Sequence, residues 1–139
     1  MNSLVRRAAI LACLVLFQGC GISNERTPVE ASSVALDGMI IRNELVYPVK
    51  NVMITVPVTG NFAGCGNIMP RSDCRTRFEA VDYAGNAMLV NWTEYGQQHS
   101  TKEFTVEPGS EISRSGTAWL EVTIFAPGQA GAKLVQAQD

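Results

Sequence analysis

From Val34 to the end of the chain, apolar and polar residues alternate with a period of two, and no stretch carries a convincing helical stripe. Successive side chains of a strand point to opposite faces, so this alternation dictates strands with one dry face each. Val52, Ile54, Val56 and Val58 share one face of NVMITVPV. Met88, Val90 and Trp92 do the same in AMLVNW, and Leu120, Val122 and Ile124 in WLEVTIF. Val34 and Leu36 open the first strand, Phe104 and Val106 mark KEFTVEP, and Leu134 lies in the last. Pro48, Gly60, Pro70, Gly85-Asn86, Pro108-Gly109 and Pro127-Gly128 separate these runs, and Tyr95 to Gln98 reads as the turn of a hairpin between Trp92 and Phe104. About seven short antiparallel strands at this spacing predict an all-β chain, with a single sandwich over residues 34–139.

Ahead of that domain the chain has a different grammar. Arg6 and Arg7 precede ten apolar or small residues, Ala8 to Phe17, which are followed by Gln18-Gly19-Cys20. A basic head, a short apolar run and a small residue before a cut are the parts of a secretory signal. The run is too short to span a bilayer, which takes about 20 residues. The cysteine at the border resembles that of bacterial lipoprotein signals, with Phe17 where leucine is usual and Gln18 where a small residue is usual. The resemblance implies a signal peptide over 1–19, cleavage after Gly19, and a diacylglycerol thioether with palmitate-class chains on Cys20. An uncleaved anchor, or plain secretion with a free Cys20, is the alternative. The family retains proteins in the inner membrane by an aspartate after the cysteine. Gly21 and Ile22 stand there instead, which implies an outer-membrane lipoprotein facing the periplasm or displayed at the surface. Residues 20–33 then form a lipidated cysteine and a polar tether. The tether from Gly21 to Ser33 spans at most about 43 Å stretched and about 20 Å as a relaxed coil.

A second resemblance lies in ALDGMIIRNELVYPVKNVMITV. Arg42, Asn43, Pro48, Lys50, Asn51, Val52, Ile54 and Val56 match the opening hairpin of bacterial immunoglobulin-like envelope domains, in which a strand ending in Arg-Asn or Asn-Asn is followed by a short loop, a proline and a Lys-Asn-Val-x-Ile-x-Val strand. This implies an immunoglobulin-like sandwich. The antibody pattern of Cys–Trp–Cys is absent, because Cys65 and Cys74 both precede Trp92. Pro57 marks an edge or a bulge in the second strand.

Cys65 and Cys74 flank GNIMPRSD in a compartment where thiols oxidise, and a disulfide between them is expected. It would close a ten-residue loop and contribute roughly 2.5–3 kcal/mol on the chain-entropy estimate. Two cysteines do not fill a zinc site, and the single histidine, His99, lies far along the chain. No metal or cofactor is called for. A redox pair would favour Cys-x-x-Cys.

Enzymatic constellations do not emerge. His99 falls in GQQHSTKE as a solvated side chain, no serine sits in a glycine elbow, and Glu79 and Asp82 read as surface groups. The net charge is −2, and without Arg6 and Arg7 the chain carries 9 basic against 13 acidic residues, which argues against nucleic acid. The expectation is therefore a non-enzymatic binding or scaffold module of a cell-envelope complex, with an envelope protein as partner. A periplasmic inhibitor of a lysozyme or protease is the alternative, and a hydrolase dependent on His99 is the third class left open. The contact surface expected for that partner is Ile68, Met69, Arg71 and Arg75, in a loop where Phe62 is buried and the Ile68-Met69 tip is exposed. The loop residues could equally cap the end of the sandwich, with the arginines a solvated strand. Trp92 and Trp119 read as core or half-buried aromatics.

The border cysteine yields a direct test. Metabolic labelling with a palmitate analogue should mark the wild type and leave Cys20→Ser unmarked; equal labelling of the two would overturn the anchor.

Overall fold

The computed structural model describes residues 33–109, 112 and 117–137, and within them every regular element is a strand. The expected signal peptide, Cys20 and all of the tether but Ser33 lie outside the described residues. The strands are β1 (Val34–Asn43), β2 (Val49–Val56), β3 (Asn61–Ile68), β4 (Ser72–Tyr83), β5 (Leu89–Glu94), β6 (Gln97–Ser100), β7 (Thr117–Ala126) and β8 (Gln129–Gln136). They form two four-stranded sheets in the orders β4-β1-β7-β8 and β3-β2-β5-β6. One hydrophobic core joins them, drawing Met39 and Ile41 from β1, Val52 and Ile54 from β2, Val90 and Trp92 from β5, and Leu120, Val122 and Ile124 from β7.

Three expectations about this architecture are corrected. The segment matched to an opening hairpin is not one, because β1 and β2 lie in different sheets. The described strands number eight rather than seven. They are also not all antiparallel, because β1 runs parallel to β7, from Ala35 opposite Thr117 to Asn43 opposite Ile124. A strand buried between two neighbours in the middle of a sheet reads as near-continuous apolar sequence, and the run Met39-Ile40-Ile41 in β1 fits that position.

The largest correction concerns the segment from Phe62 to Phe78. It is two strands, not a loop. β3 is the edge of one sheet and β4 the edge of the other, so the chain changes sheets at Met69-Pro70-Arg71. Cys65 and Cys74 are disulfide-bonded, with Cα atoms 6.1 Å apart. The bond therefore staples the two sheets together along one side, where no backbone ladder joins them. The burial order of the segment is also the reverse of the one expected. Ile68 is buried and Phe62 is 73% exposed, while Met69 is exposed as expected. In the β3 ladder Ile68 lies opposite buried Val49.

Local chemistry explains the remaining departures. Tyr95 and Gly96 both have positive φ, 48° and 81°, which is the two-residue turn whose twist matches flanking strands. The hairpin is thus β5–β6, with Glu94 opposite Gln97. Phe104 lies beyond it and makes only an isolated bridge to Met88. Asn51, at φ 52°, sits where the β2 register slips between Val49 and Val52. The bulge of β2 is there, and Pro57 simply follows the end of the strand. On the outer face of the first sheet, a Cβ at Gly38 would lie 2.5 Å from the Trp119 indole. Glycine at that position lets Trp119 lie flat on β1 while Arg77 covers its ring at 5.4 Å.

The reversed burial generates a paired test. Ile68→Ala should destabilise by about 2–5 kcal/mol, as truncation of a buried aliphatic side chain does. Phe62→Ala should melt within a degree or two of the wild type. Thermal unfolding followed by circular dichroism distinguishes them, and a larger loss at Phe62 would overturn the assignment.

Candidate functional site

Strand register divides the sandwich into two ends. At one end β1 finishes at Asn43, opposite Ser72 and Ile124, and the turns β3–β4, β5–β6 and β7–β8 gather around it. At the other, β1 begins at Val34, opposite Tyr83, beside the β2–β3 turn.

Two buried polar side chains build the Asn43 end. Asn43 is 1% exposed. Its Nδ2 donates to the carbonyls of Tyr47, Ile68 and Met69 at 2.8, 3.2 and 3.0 Å, and its Oδ1 accepts from the Leu45 amide at 3.0 Å. The Arg71 amide in turn donates to the Leu45 carbonyl at 3.2 Å. One side chain thereby joins the end of β1, the β1–β2 loop and the β3–β4 turn.

Glu94 is the second. It is 4% exposed and accepts from Trp92 Nε1 at 2.6 Å, Tyr47 Oη at 3.0 Å and the Gly128 amide at 3.2 Å, with His99 Nε2 at 3.9 Å. Burial pushes the Glu94 pKa up, but the hydrogen bonds from Trp92, Gly128 and Tyr47, together with the nearby His99, outweigh it and hold the carboxyl below its ordinary value. The same contact raises the Tyr47 phenol, through burial first and then the Glu94 carboxylate. His99 is not the freely solvated side chain expected. It stacks on Trp92, with ring centroids 5.7 Å apart, and sits against Gly128.

These ties fix loops whose outward side chains are apolar. Val46, Met69 and Tyr95 are 74%, 63% and 83% exposed, and the Tyr95 ring packs on Tyr47 at 4.5 Å between centroids. Of the expected contact residues, Met69 and Arg71 belong to this surface, and Arg71 holds a positive φ of 55° at its tip. Ile68 is buried beneath it, and Arg75 lies on β4, paired with Asp73 at 3.4 Å. Val46 and Tyr95 were missed, because they come from other turns. Tyr95, an aromatic within a turn otherwise read from Gly96, was the one signal in the sequence.

The Val34 end is open. A cleft of about 430 Å³ lies between the β3 and β4 edges, floored by Leu36, Met39, Ile54, Met88 and Leu120. Among the described residues, no three of His, Cys, Asp and Glu converge as a metal site.

No family model matches the chain, and no curated protein matches it. The NMR structure of a protein from Eubacterium rectale is similar over 78% of this chain and 91% of that one, at 11% identity and a TM-score of 0.43.

The buried carboxylate makes stability depend on pH in a defined sense. A carboxyl held below its unfolded value stabilises the fold above that value, near 4.5, and loses the contribution as pH falls through the folded pKa. Glu94→Gln should lower stability at pH 7 by about 1.5–3 kcal/mol, the worth of a hydrogen bond to a charged group, and should flatten the stability profile below pH 4.5. Urea melts across that range check it, and an unchanged acid limb would refute the role.

Proposed function

We propose that the chain is a bacterial lipoprotein, cleaved after Gly19 and acylated on Cys20. On this reading it holds a non-enzymatic binding module of immunoglobulin-like type against the outer membrane, facing the periplasm, and presents it to a protein of the cell envelope. The observation that carries the binding reading is the apolar surface of Val46, Met69 and Tyr95 on turns fixed by Asn43 and Glu94. Exposed aromatic and thioether side chains on rigid loops supply contact area at little ordering cost. That surface lies at the end away from Val34, where the tether attaches, so an anchored molecule would hold it outward from the membrane. The immunoglobulin-like type draws support from the two-sheet core, and from Asn43 and Asn51 of the matched segment, which passes from one sheet to the other. They occupy a strand-ending bond network and a bulge.

A periplasmic inhibitor uses the same anchorage, and the Met69-Pro70-Arg71 projection, held from below by Asn43, favours keeping that second reading. An inhibitor binds its enzyme as an isolated pair, whereas a scaffold module travels with several envelope proteins.

The membrane-extracted protein should retain its envelope partner through affinity purification. The combined variant Met69→Ser, Arg71→Ala and Tyr95→Ser should lose that partner while its melting temperature stays within a few degrees. Retention of the same partner by the variant would sink the proposed surface.

A further inference from the structure

The cleft at the Val34 end has the composition of a site for an aliphatic chain. Its floor is the core itself: Leu36, Met39, Ile54, Met88 and Leu120 are each 6% exposed or less. Two of the five are methionines, whose unbranched thioethers re-pack around an irregular guest. Its volume, about 430 Å³, falls within the roughly 300–1,000 Å³ of small-molecule pockets. Around the mouth, Phe62 and Val81 stand 73% and 42% exposed on the two edge strands. Exposed apolar side chains that flank an opening onto the core extend it into one apolar surface, the kind that marks a binding groove.

Two observations say what the occupant is. The charged residues lining the cleft are Glu79 and Asp82, and none is basic. An anionic head group held at this rim would meet like charge, which argues against a fatty-acid or phosphate anion as the guest. The second observation is position. Tyr83, which lines the cleft, lies opposite Val34 in the sheet, so the tether leaves the domain beside the mouth. The 13 residues between Cys20 and Val34 span at most about 43 Å, so acylation of Cys20 keeps the mouth within that distance of the membrane.

We propose that the cleft takes up one aliphatic chain of a neutral, single-chain lipid from the membrane to which the domain is tethered. The disulfide is what makes an opening compatible with a stable fold. Cys65–Cys74 staples β3 to β4 toward the Asn43 end, leaving Asn61 to Ala63 and Phe78 to Tyr83 free to stand apart over the guest. This deepens the binding reading above by naming a ligand for the other end. Only the source of the lipid rests on the anchor.

The test uses the exported chain with Cys20→Ser, purified without detergent, so that failure of the anchor cannot affect the result. Uptake is followed by displacement of the uncharged fluorophore N-phenyl-1-naphthylamine. Dodecanoylglycerol should displace it saturably, and each added methylene should tighten binding by roughly fourfold until the cleft is full. Dodecanoate, with the same chain, should bind at least tenfold more weakly. Phe62→Ser and Val81→Ser, at exposed positions, should fold normally and weaken uptake about tenfold. Ala63→Trp, aimed into the cleft from β3, should abolish it. Absence of saturable uptake, equal affinity for dodecanoate, or uptake indifferent to Phe62→Ser and Val81→Ser would each overturn the proposal. Equal palmitate labelling of the wild type and Cys20→Ser would instead strike the anchor and leave the cleft standing.

Discussion

Two sheets that share no backbone ladder have to be held face to face by side chains, and Asn43 is the side chain on which this sandwich turns. Its amide nitrogen serves three carbonyls and its oxygen one amide, all at distances of 2.8 to 3.2 Å. Burying an amide without partners would cost several kcal/mol, so the site is stable only when the whole set is made. That all-or-none character specifies geometry. The end of β1, the descent of the β1–β2 loop through buried Leu45, and the point where the chain passes from β3 to β4 are fixed together. Glu94 then extends the same logic across the sandwich, reaching from β5 to Gly128 in the β7–β8 turn.

The two ends follow from how the sheets are joined. At the Asn43 end, polar ties and a nearby disulfide make a tight closure, and apolar side chains there can face solvent without loosening the fold. At the Val34 end, β3 and β4 have no polar tie of this kind among the described residues, and the core opens between them. The Tyr83 hydroxyl does make one bond there, accepting from the Val106 amide at 2.9 Å. That bond draws the β6–β7 connection against the end of β4 and leaves the β3 side open. Stability is concentrated where the loops must be rigid, and withheld where the two edges need room.

The sequence revealed the strands that bury a face. Val52 and Ile54, Met88, Val90 and Trp92, Leu120, Val122 and Ile124, and Leu134 all lie in the core as the period of two requires. It concealed β3 and β4, and the reason is physical. Both are edge strands with solvent on more than one side, so their residues need not be apolar. Glycine at positions 64 and 66 and polar or charged residues along Ser72 to Arg77 removed the alternation on which the reading rests. Mistaking them for a loop then reversed the burial of Phe62 and Ile68, since a loop midpoint projects and a strand end does not. The Cys65–Cys74 pair was legible from the spacing and from the compartment that the leader led one to expect. That it crosses between sheets was not, because spacing does not say which sheet each cysteine joins.

The candidate surface was legible only in part for a related reason. Met69 and Arg71 could be found because they flank a proline in one turn, while Val46 and Tyr95 reach the same surface from turns 23 to 26 residues away in sequence, brought there by β1–β4 and β2–β5 pairing. Isolated exposed hydrophobic residues carry no message, and a patch assembled from three turns does. The assembly is itself a consequence of the buried polar ties. Asn43 holds the backbone of Met69, Glu94 holds the ring of Tyr47, and Tyr95 leans on that ring. Without the carboxylate, Tyr47 would be free to turn and Tyr95 would lose its support. The same buried charge that stabilises the fold therefore also sets the shape of the surface proposed to meet a partner.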